Sequence, residues 1–224
     1  MTLSVRGLTK SYGLGEARIV VLRGVDLHVE SGEMCAVMGP SGAGKSTLLH
    51  LVAGLDEPDE GTVEVLGTPL GGLDDRERTL IRRDKIGIVY QFFNLVSNLT
   101  AIENVLLPFY IADVPPDHEA AEQALERVGM KNRANHLPAQ LSGGEMQLVS
   151  IARALVRKPG LVLADEPTGN LDAATGEGII DLLFELNAER GTTLLLVTHD
   201  EMLARRCTRL VRLAGGRIVN GSGA

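Results

Sequence analysis

One stretch narrows the possibilities more than any other: Gly39-Pro40-Ser41-Gly42-Ala43-Gly44-Lys45-Ser46, followed by Thr47. It fits the pattern G-x-x-x-x-G-K-[ST]. It follows an apolar run, Met34–Met38, and opens an amphipathic one at Ser46-Thr47-Leu48-Leu49. A chain carrying it in that setting must build a buried strand, a tight glycine loop and a helix in succession. The residue types follow from phosphate chemistry. Glycines let backbone N–H groups turn onto phosphate oxygens with no side chain in the way. The helix that follows adds the partial positive charge of its N-terminus. Lys45 has the reach for β- and γ-phosphates, and the Ser46 hydroxyl suits Mg²⁺ coordination. Residues 39–47 therefore read as a nucleotide-phosphate cradle.

Such a cradle needs a second strand that ends in carboxylates. Leu161-Val162-Leu163-Ala164-Asp165-Glu166 supplies one. Asp165 is placed to hold Mg²⁺ through a water, and Glu166 to polarise an attacking water as general base.

The rest of the chain reads as α/β. Apolar runs at Leu3–Thr9, Ile19–Val29, Met34–Met38, Thr62–Leu66, Ile86–Tyr90, Leu161–Ala164, Thr193–Val197, Arg209–Leu213 and Arg217–Asn220 predict strands. Helical periodicity predicts helices at Lys45–Ala53, Leu73–Arg83, Thr100–Ala112, Asp117–Val128, Gly143–Arg157, Ala173–Glu189 and Glu201–Arg206. Gly215-Gly216 reads as a two-residue hairpin turn. The early strands crowd together before any long helix, which predicts an antiparallel layer beside a parallel core. Residues 92–158 lack strand signals and are expected to form a helical lobe inserted in one domain spanning 1–224, whose core is 1–91 and 159–224.

Composition removes several functions. With 29 acidic against 22 basic residues the net charge is −7, which argues against nucleic acid as partner. The basic run Arg76, Arg78, Arg82, Arg83 and Lys85 reads as a solvated helix face. Two cysteines, Cys35 and Cys207, cannot form a disulfide framework, so a reducing compartment is expected. The longest apolar run, Val105–Ala112, contains Pro108 and is far short of the ~20 residues of a membrane span. No apolar leader follows Met1, and a cytosolic chain is expected.

A second anion-binding helix start lies at Leu141-Ser142-Gly143-Gly144-Glu145, with Ser142 as N-cap and Leu148, Ile151, Ala152 and Leu155 on one stripe behind it. Taken with residues 39–47 and Asp165-Glu166, it makes the chain resemble the nucleotide-binding subunit of ABC transporters. Tyr12 looks like the adenine-stacking residue, Gln91 like the Q-loop glutamine, Gly169-Asn170-Leu171-Asp172 like the D-loop, and His199 like the switch histidine. All seven motifs come in order and span essentially the whole chain. Glu145 replaces the signature's common glutamine, and Leu148 stands where the family usually has arginine.

The resemblance implies a P-loop NTPase fold and a mechanism. Two copies pack head to tail, and each ATP lies between one cradle and the opposite Ser142, Gly143, Gly144 and Glu145. Glu166 orients the water, His199 and Lys45 hold the γ-phosphate, Gln91 joins Ser46 and Asp165 at Mg²⁺, and Asp172 reaches across the dimer. A permease would dock near Gln91, where Phe92 and Phe93 are the expected interface aromatics. The wording Asn98-Leu99-Thr100-Ala101-Ile102-Glu103-Asn104-Val105 before Leu106-Leu107-Pro108 resembles the lipoprotein-releasing and macrolide-exporter branch. That implies a peripheral subunit on the cytoplasmic face of a membrane. The other class is a soluble ABC-type ATPase acting as a nucleotide-switched clamp or assembly factor. Only 51 positions separate Gln91 from Ser142, which leaves no room for the coiled-coil insertion of DNA-repair members.

Overall fold

The computed structural model describes residues 1–14 and 17–219. Among the described residues ten strands form two sheets. In the first, β1 (Leu3–Leu14), β2 (Ala17–Val29), β4 (Glu60–Val65) and β5 (Thr68–Pro69) run antiparallel in the order β2-β1-β4-β5. In the second, β3 (Met34–Met38), β6 (Ile86–Val89), β7 (Leu161–Asp165), β8 (Thr193–Thr198), β9 (Arg209–Ala214) and β10 (Arg217–Val219) take the order β10-β9-β3-β8-β7-β6. All pairs in it are parallel except the β9–β10 hairpin.

That hairpin turns at Gly215 and Gly216, both at positive φ (56° and 77°), as a primed two-residue turn requires. Asn220, the predicted end of the last strand, lies outside the described residues.

The helices are α1 (Lys45–Val52), α2 (Asp75–Lys85), α3 (Ala101–Ile111), α4 (His118–Arg127), α5 (Gly143–Leu155), α6 (Ala173–Arg190) and the single turn α7 (Glu201–Ala204). Their starts are set by local chemistry. Asp74, Thr100 and Ser142 each close a reciprocal capping box with a Glu three residues on.

Two hydrophobic clusters lie on opposite faces of the parallel sheet. One packs Val37, Leu163, Leu195 and Val197 against α1 and the antiparallel layer; the other packs Val162, Ala164, Leu194 and Leu196 against α3, α4, α5 and α6. Strands buried on both faces show no alternation, which is why they read as continuous apolar runs.

Differences from expectation have simple causes. β1 runs on to Leu14 because its ladder with β2 continues through Ser11, Tyr12 and Gly13, residues without an apolar period. β5 is two residues long and carries no periodic signal. Arg76 is exposed as expected, but the other basic residues of α2 are engaged at home: Arg78 pairs with Glu57, Arg82 donates to the Gly54 carbonyl at 3.0 Å, Arg83 pairs with Asp84 at 2.8 Å, and Lys85 donates to Thr68 at 2.8 Å. Both cysteines are free, and burial pushes their thiols up to about 11 for Cys35 and about 12 for Cys207, which leaves them unreactive at neutral pH.

Candidate functional site: a phosphate cradle and its carboxylates

The carboxyl ends of β3, β7 and β8 lie side by side, where open α/β sheets bind ligands. Between β3 and α1 the loop takes a path that only glycine follows. Gly42 and Gly44 sit at φ 77° and 102°. A Cβ on Gly39 would stand 2.2 Å from the Leu213 carbonyl oxygen, and one on Gly44 2.7 Å from Leu22 Cδ2. Gly44 has no side chain to cap α1, so the helix offers its N-terminus to a ligand. Pro40, Ser41, Gly42 and Ser46 are exposed along the loop, whereas Ala43 is buried beneath it.

Lys45 is a buried cation. Its Nζ donates to the carbonyls of Gly39 (2.8 Å) and Pro40 (3.2 Å) and stands 3.8 Å from Glu166 Oε1. Ser46 Oγ donates to Asp165 Oδ1 at 3.3 Å, joining the cradle to the end of β7. Burial pushes the Asp165 carboxyl up, the Ser46 bond works against it, and the neighbouring Glu166 charge adds to it.

Glu166 stands at φ 45°, a left-handed conformation that a non-glycine residue holds only under constraint. The constraint is visible: its N–H donates to the Val197 carbonyl at 2.9 Å. Its Oε2 lies 2.8 Å from His199 Nδ1 and accepts from the His199 N–H at 3.3 Å. The Glu166 side chain is only 13% exposed, while that of His199 is 68% exposed.

Gln91 follows β6. Its carbonyl accepts from Asn170 Nδ2 at 2.9 Å, and its amide lies so close to Gly169 that a Cβ there would meet Nε2 at 2.9 Å. Tyr12 is partly exposed beside α1. Its hydroxyl donates to Asp56 Oδ2 at 2.8 Å and is flanked by the Thr47 side chain.

The second glycine loop stands apart. Ser142 and Glu145 satisfy each other through Glu145 N to Ser142 Oγ (3.2 Å) and Ser142 N to Glu145 Oε2 (2.8 Å), and Arg133 Nε adds a bond to Glu145 at 3.2 Å. The bond from the Ser142 backbone holds the Glu145 carboxyl below its ordinary range. Gly144 presses on Thr175, where a Cβ would come within 2.5 Å of Cγ2, and Asp172 caps α6 by accepting from Thr175 N at 3.0 Å. Among the described residues no hydrogen bond or ion pair joins Ser142, Gly143, Gly144, Glu145 or Asp172 to residues 39–47 or 165–166. One copy thus brings Ser46, Lys45, Asp165, Glu166 and His199 together and leaves the Ser142 loop and Asp172 elsewhere.

Sequence reasoning passed over four residues that hold these parts in place. Gln147, fully buried, donates to the Pro167 carbonyl at 2.7 Å and so ties α5 to the turn after Glu166. Arg153 forks onto the carbonyls of Phe93 (2.8 Å) and Asn94 (2.6 Å). Polar residues on the apolar face of α5 were the available signal. Lys10, two residues ahead of Tyr12 in β1, and Asp56, from a segment 44 positions away, flank the ring and left none. Leu148, at the position where an arginine is usual, packs against the helical cluster as an ordinary apolar side chain.

The Asp165 environment gives a stability prediction. A carboxyl raised by burial favours folding only when protonated, so Asp165→Asn is expected to raise the thermal midpoint of the nucleotide-free protein at neutral pH. The gain, about 2–4 °C for a chain of this size, should be full above the native pKa and fade as pH falls through it. Calorimetry at pH 7.5 and at pH 4 checks this; equal shifts at both values would leave burial without a role.

A glycine cradle opening a helix at the end of a parallel strand, with a serine hydroxyl facing an Asp-Glu pair at the end of a second parallel strand one place removed, defines a P-loop nucleotide hydrolase. The family model for the ABC transporter matches residues 22–169. The chain belongs to that family, as its ATP-binding and ATP-hydrolysing cassette. It is 50% identical over 219 residues (97% of this chain, 96% of the other) to the lipoprotein-releasing system ATP-binding protein LolD of Pseudomonas syringae pv. tomato. It is 48% identical over 218 residues (96% of each chain) to an uncharacterized ABC transporter ATP-binding protein, YbbA, of Escherichia coli K12. Among solved structures, a dimeric post-hydrolysis state of the ATP-binding cassette MJ0796 bound to ADP and Pi superposes with a TM-score of 0.90 at 44% identity, covering 97% of both chains.

Proposed function

We propose that this cassette works as a head-to-tail homodimer on the cytoplasmic face of a membrane, driving a separate integral permease that extracts or exports a lipoprotein, lipid, peptide or macrolide-like substrate. The observation that carries the dimer is the separation of two half-sites. A cradle with its carboxylates sits in one place, and a bare-glycine helix start, capped only against itself, sits in another. Two copies facing each other complete both sites. The dimeric cassette at 44% identity and the lipoprotein-releasing relative at 50% support the same reading.

In each composite site the cradle residues Gly39 to Thr47 and Tyr12 bind ATP, and Lys45 and His199 hold its γ-phosphate. Ser142, Gly143, Gly144 and Glu145 of the opposite copy close over it, with Asp172 reaching across. Glu166 orients the attacking water. The Ser46 hydroxyl, the half-buried Asp165 carboxylate and the Gln91 amide oxygen are a hard-oxygen donor set that suits Mg²⁺, which when bound supplies charge neutralisation on the phosphates. Residues 92–158 act as a helical subdomain on the 1–91 and 159–224 core, supported by the mutual packing of α3, α4 and α5.

A permease needs an apolar landing surface. Phe92 is 71% exposed beside Gln91, and Tyr110, Ile111 and Val96 are exposed on the same lobe. Phe93 turns inward against Gly143, and Phe109 packs half-buried on the helical cluster, so Phe92 rather than the pair is the docking aromatic. No helix among the described residues is long and apolar enough to cross a membrane.

The test is recovery of the tagged cassette from solubilised native membranes, with its stoichiometric companion identified by mass spectrometry. A permease with few spans and a large extracytoplasmic domain is the expected companion. Recovery of soluble companions alone would replace the transporter with the nucleotide-switched clamp.

A further inference from the structure

Tyr12 is held rather than merely placed. The register of β1 with β4, Thr9 against Glu60, lays the strand that carries Tyr12 over the turn 56–59. Three consecutive residues are then pinned to that turn. Lys10 Nζ donates to Asp56 Oδ1 and to the Glu57 carbonyl, both at 2.6 Å. Ser11 donates to Asp59 Oδ2 through its N–H (2.8 Å) and its hydroxyl (2.5 Å). Tyr12 Oη donates to Asp56 Oδ2 at 2.8 Å. Lys10 is itself buried, with its ammonium 5.1 Å from the centre of the Tyr12 ring. Asp56 Oδ1 accepts as well from the Glu57 N–H at 2.7 Å, so both oxygens of one carboxylate are committed.

We propose that Asp56, braced by Lys10, is a positioning residue for nucleotide binding: it fixes the plane of the Tyr12 ring, and so sets how well the site takes the purine base of ATP. The inference rests on the reading of Tyr12 as the base-stacking residue. Among the described residues no hydrogen bond or ion pair joins Asp56 to residues 39–47; its one route to the cradle is the Tyr12 hydroxyl, which also meets the Thr47 side chain. Its main influence is therefore at the base end of the ligand, and titration of the triphosphate end alone shows what passes through Thr47. Burial by itself would push the Asp56 carboxyl up, yet the Lys10 and Tyr12 bonds hold it below its ordinary range, so it acts as an ionised acceptor across the physiological range. An aromatic ring that must be ordered before it can stack loses part of the stacking free energy to that ordering, and a ring already bonded at its hydroxyl and backed by a cation does not.

Calorimetric titration with ATP and with inorganic tripolyphosphate separates the two ends of the ligand. Both are titrated into the Glu166→Gln background, so that turnover does not consume the nucleotide. Tyr12→Ala is expected to weaken ATP about tenfold, the scale of one stacked base, and to leave tripolyphosphate unchanged. Asp56→Asn, which keeps one oxygen for Lys10 and Glu57 N and turns an uncharged NH2 onto the Tyr12 hydroxyl in place of the carboxylate acceptor, and Tyr12→Phe, which removes that hydroxyl, are each expected to weaken ATP about threefold to fivefold with tripolyphosphate again unchanged. If Tyr12→Ala leaves ATP affinity intact, the stacking reading itself fails. If Tyr12→Ala weakens ATP while Asp56→Asn and Tyr12→Phe bind as the parent, stacking stands and the positioning role of Asp56 is overturned. A loss shared equally by ATP and tripolyphosphate in Asp56→Asn marks a general structural defect and overturns it too.

Discussion

Glu166→Gln protein is expected to bind MgATP, to turn it over at least about 100-fold more slowly than the parent, and to accumulate as a nucleotide-loaded dimer. The amide keeps the size of the carboxylate, and its oxygen can still accept from the His199 N–H, so the φ 45° conformation at this position is retained. What it loses is the ability to draw a proton from water. It also loses a negative charge that stands 3.8 Å from Lys45 and beside the Asp165 carboxyl, in the space proposed for the γ-phosphate. Removing that charge lessens repulsion toward ATP, which is why slower turnover and tighter loading should come together. Phosphate release and light scattering on the same sample measure both. Parental turnover by Glu166→Gln would strip the residue of its catalytic role.

Lys45→Ala is expected to abolish nucleotide binding, raising the Kd for MgATP by about 100-fold or more, the scale of one buried charge-assisted contact. Among the described residues the lysine is the one cation bonded to the loop carbonyls of Gly39 and Pro40, and it faces Asp165 and Glu166 across the cradle. Without it a triphosphate would meet two carboxylates with no opposing charge beside them. The bonds it makes also set what the proposed phosphate contact has to replace, namely the two carbonyl oxygens of Gly39 and Pro40. Titration calorimetry measures the loss. A thermal scan of the nucleotide-free variant guards against misfolding, and parental affinity in Lys45→Ala would remove residues 39–47 from phosphate binding.

The parts of this molecule that were legible in its sequence are those whose chemistry is local. The glycine loop, the strand that ends in Asp165, the Ser142–Glu145 cap and the Gly215-Gly216 turn each announce themselves within a few residues, because φ > 0 turns and capping boxes are short-range devices. The antiparallel layer and parallel core followed from crowded early strands and from apolar runs too continuous to be one-sided. What stayed hidden depends on register. Nothing near Asp56 says that it receives Tyr12 from 44 positions away; the β1–β4 ladder brings them together. Arg153 likewise finds carbonyls 59 and 60 positions back in the chain. Backbone carbonyls are acceptors at every residue, so sequence cannot say which of them a buried guanidinium will choose.

The choice Arg153 makes has a mechanical consequence. Phe93 and Asn94 are consecutive non-glycine residues in the left-handed region, at φ 60° and 50°, and both carbonyls end on its guanidinium. Burial draws the Arg153 pKa down, so the charge is carried at a cost that its carbonyl bonds offset. Arg153 belongs to α5, the helix that begins at Ser142, and Phe92 is the exposed residue just ahead of the twisted pair. The fork therefore works like a latch between a rod and a bent spring. The loop holds its bend through its own turn bonds, Phe93 N–H to the Tyr90 carbonyl among them, and through the Arg153 fork, so a shift of α5 pulls on the residues that follow Phe92. On the proposed reading, the surface offered to a membrane partner and the helix whose start closes on a neighbour's nucleotide are thus fastened to each other, through Arg153 and through the packing of Phe93 on Gly143.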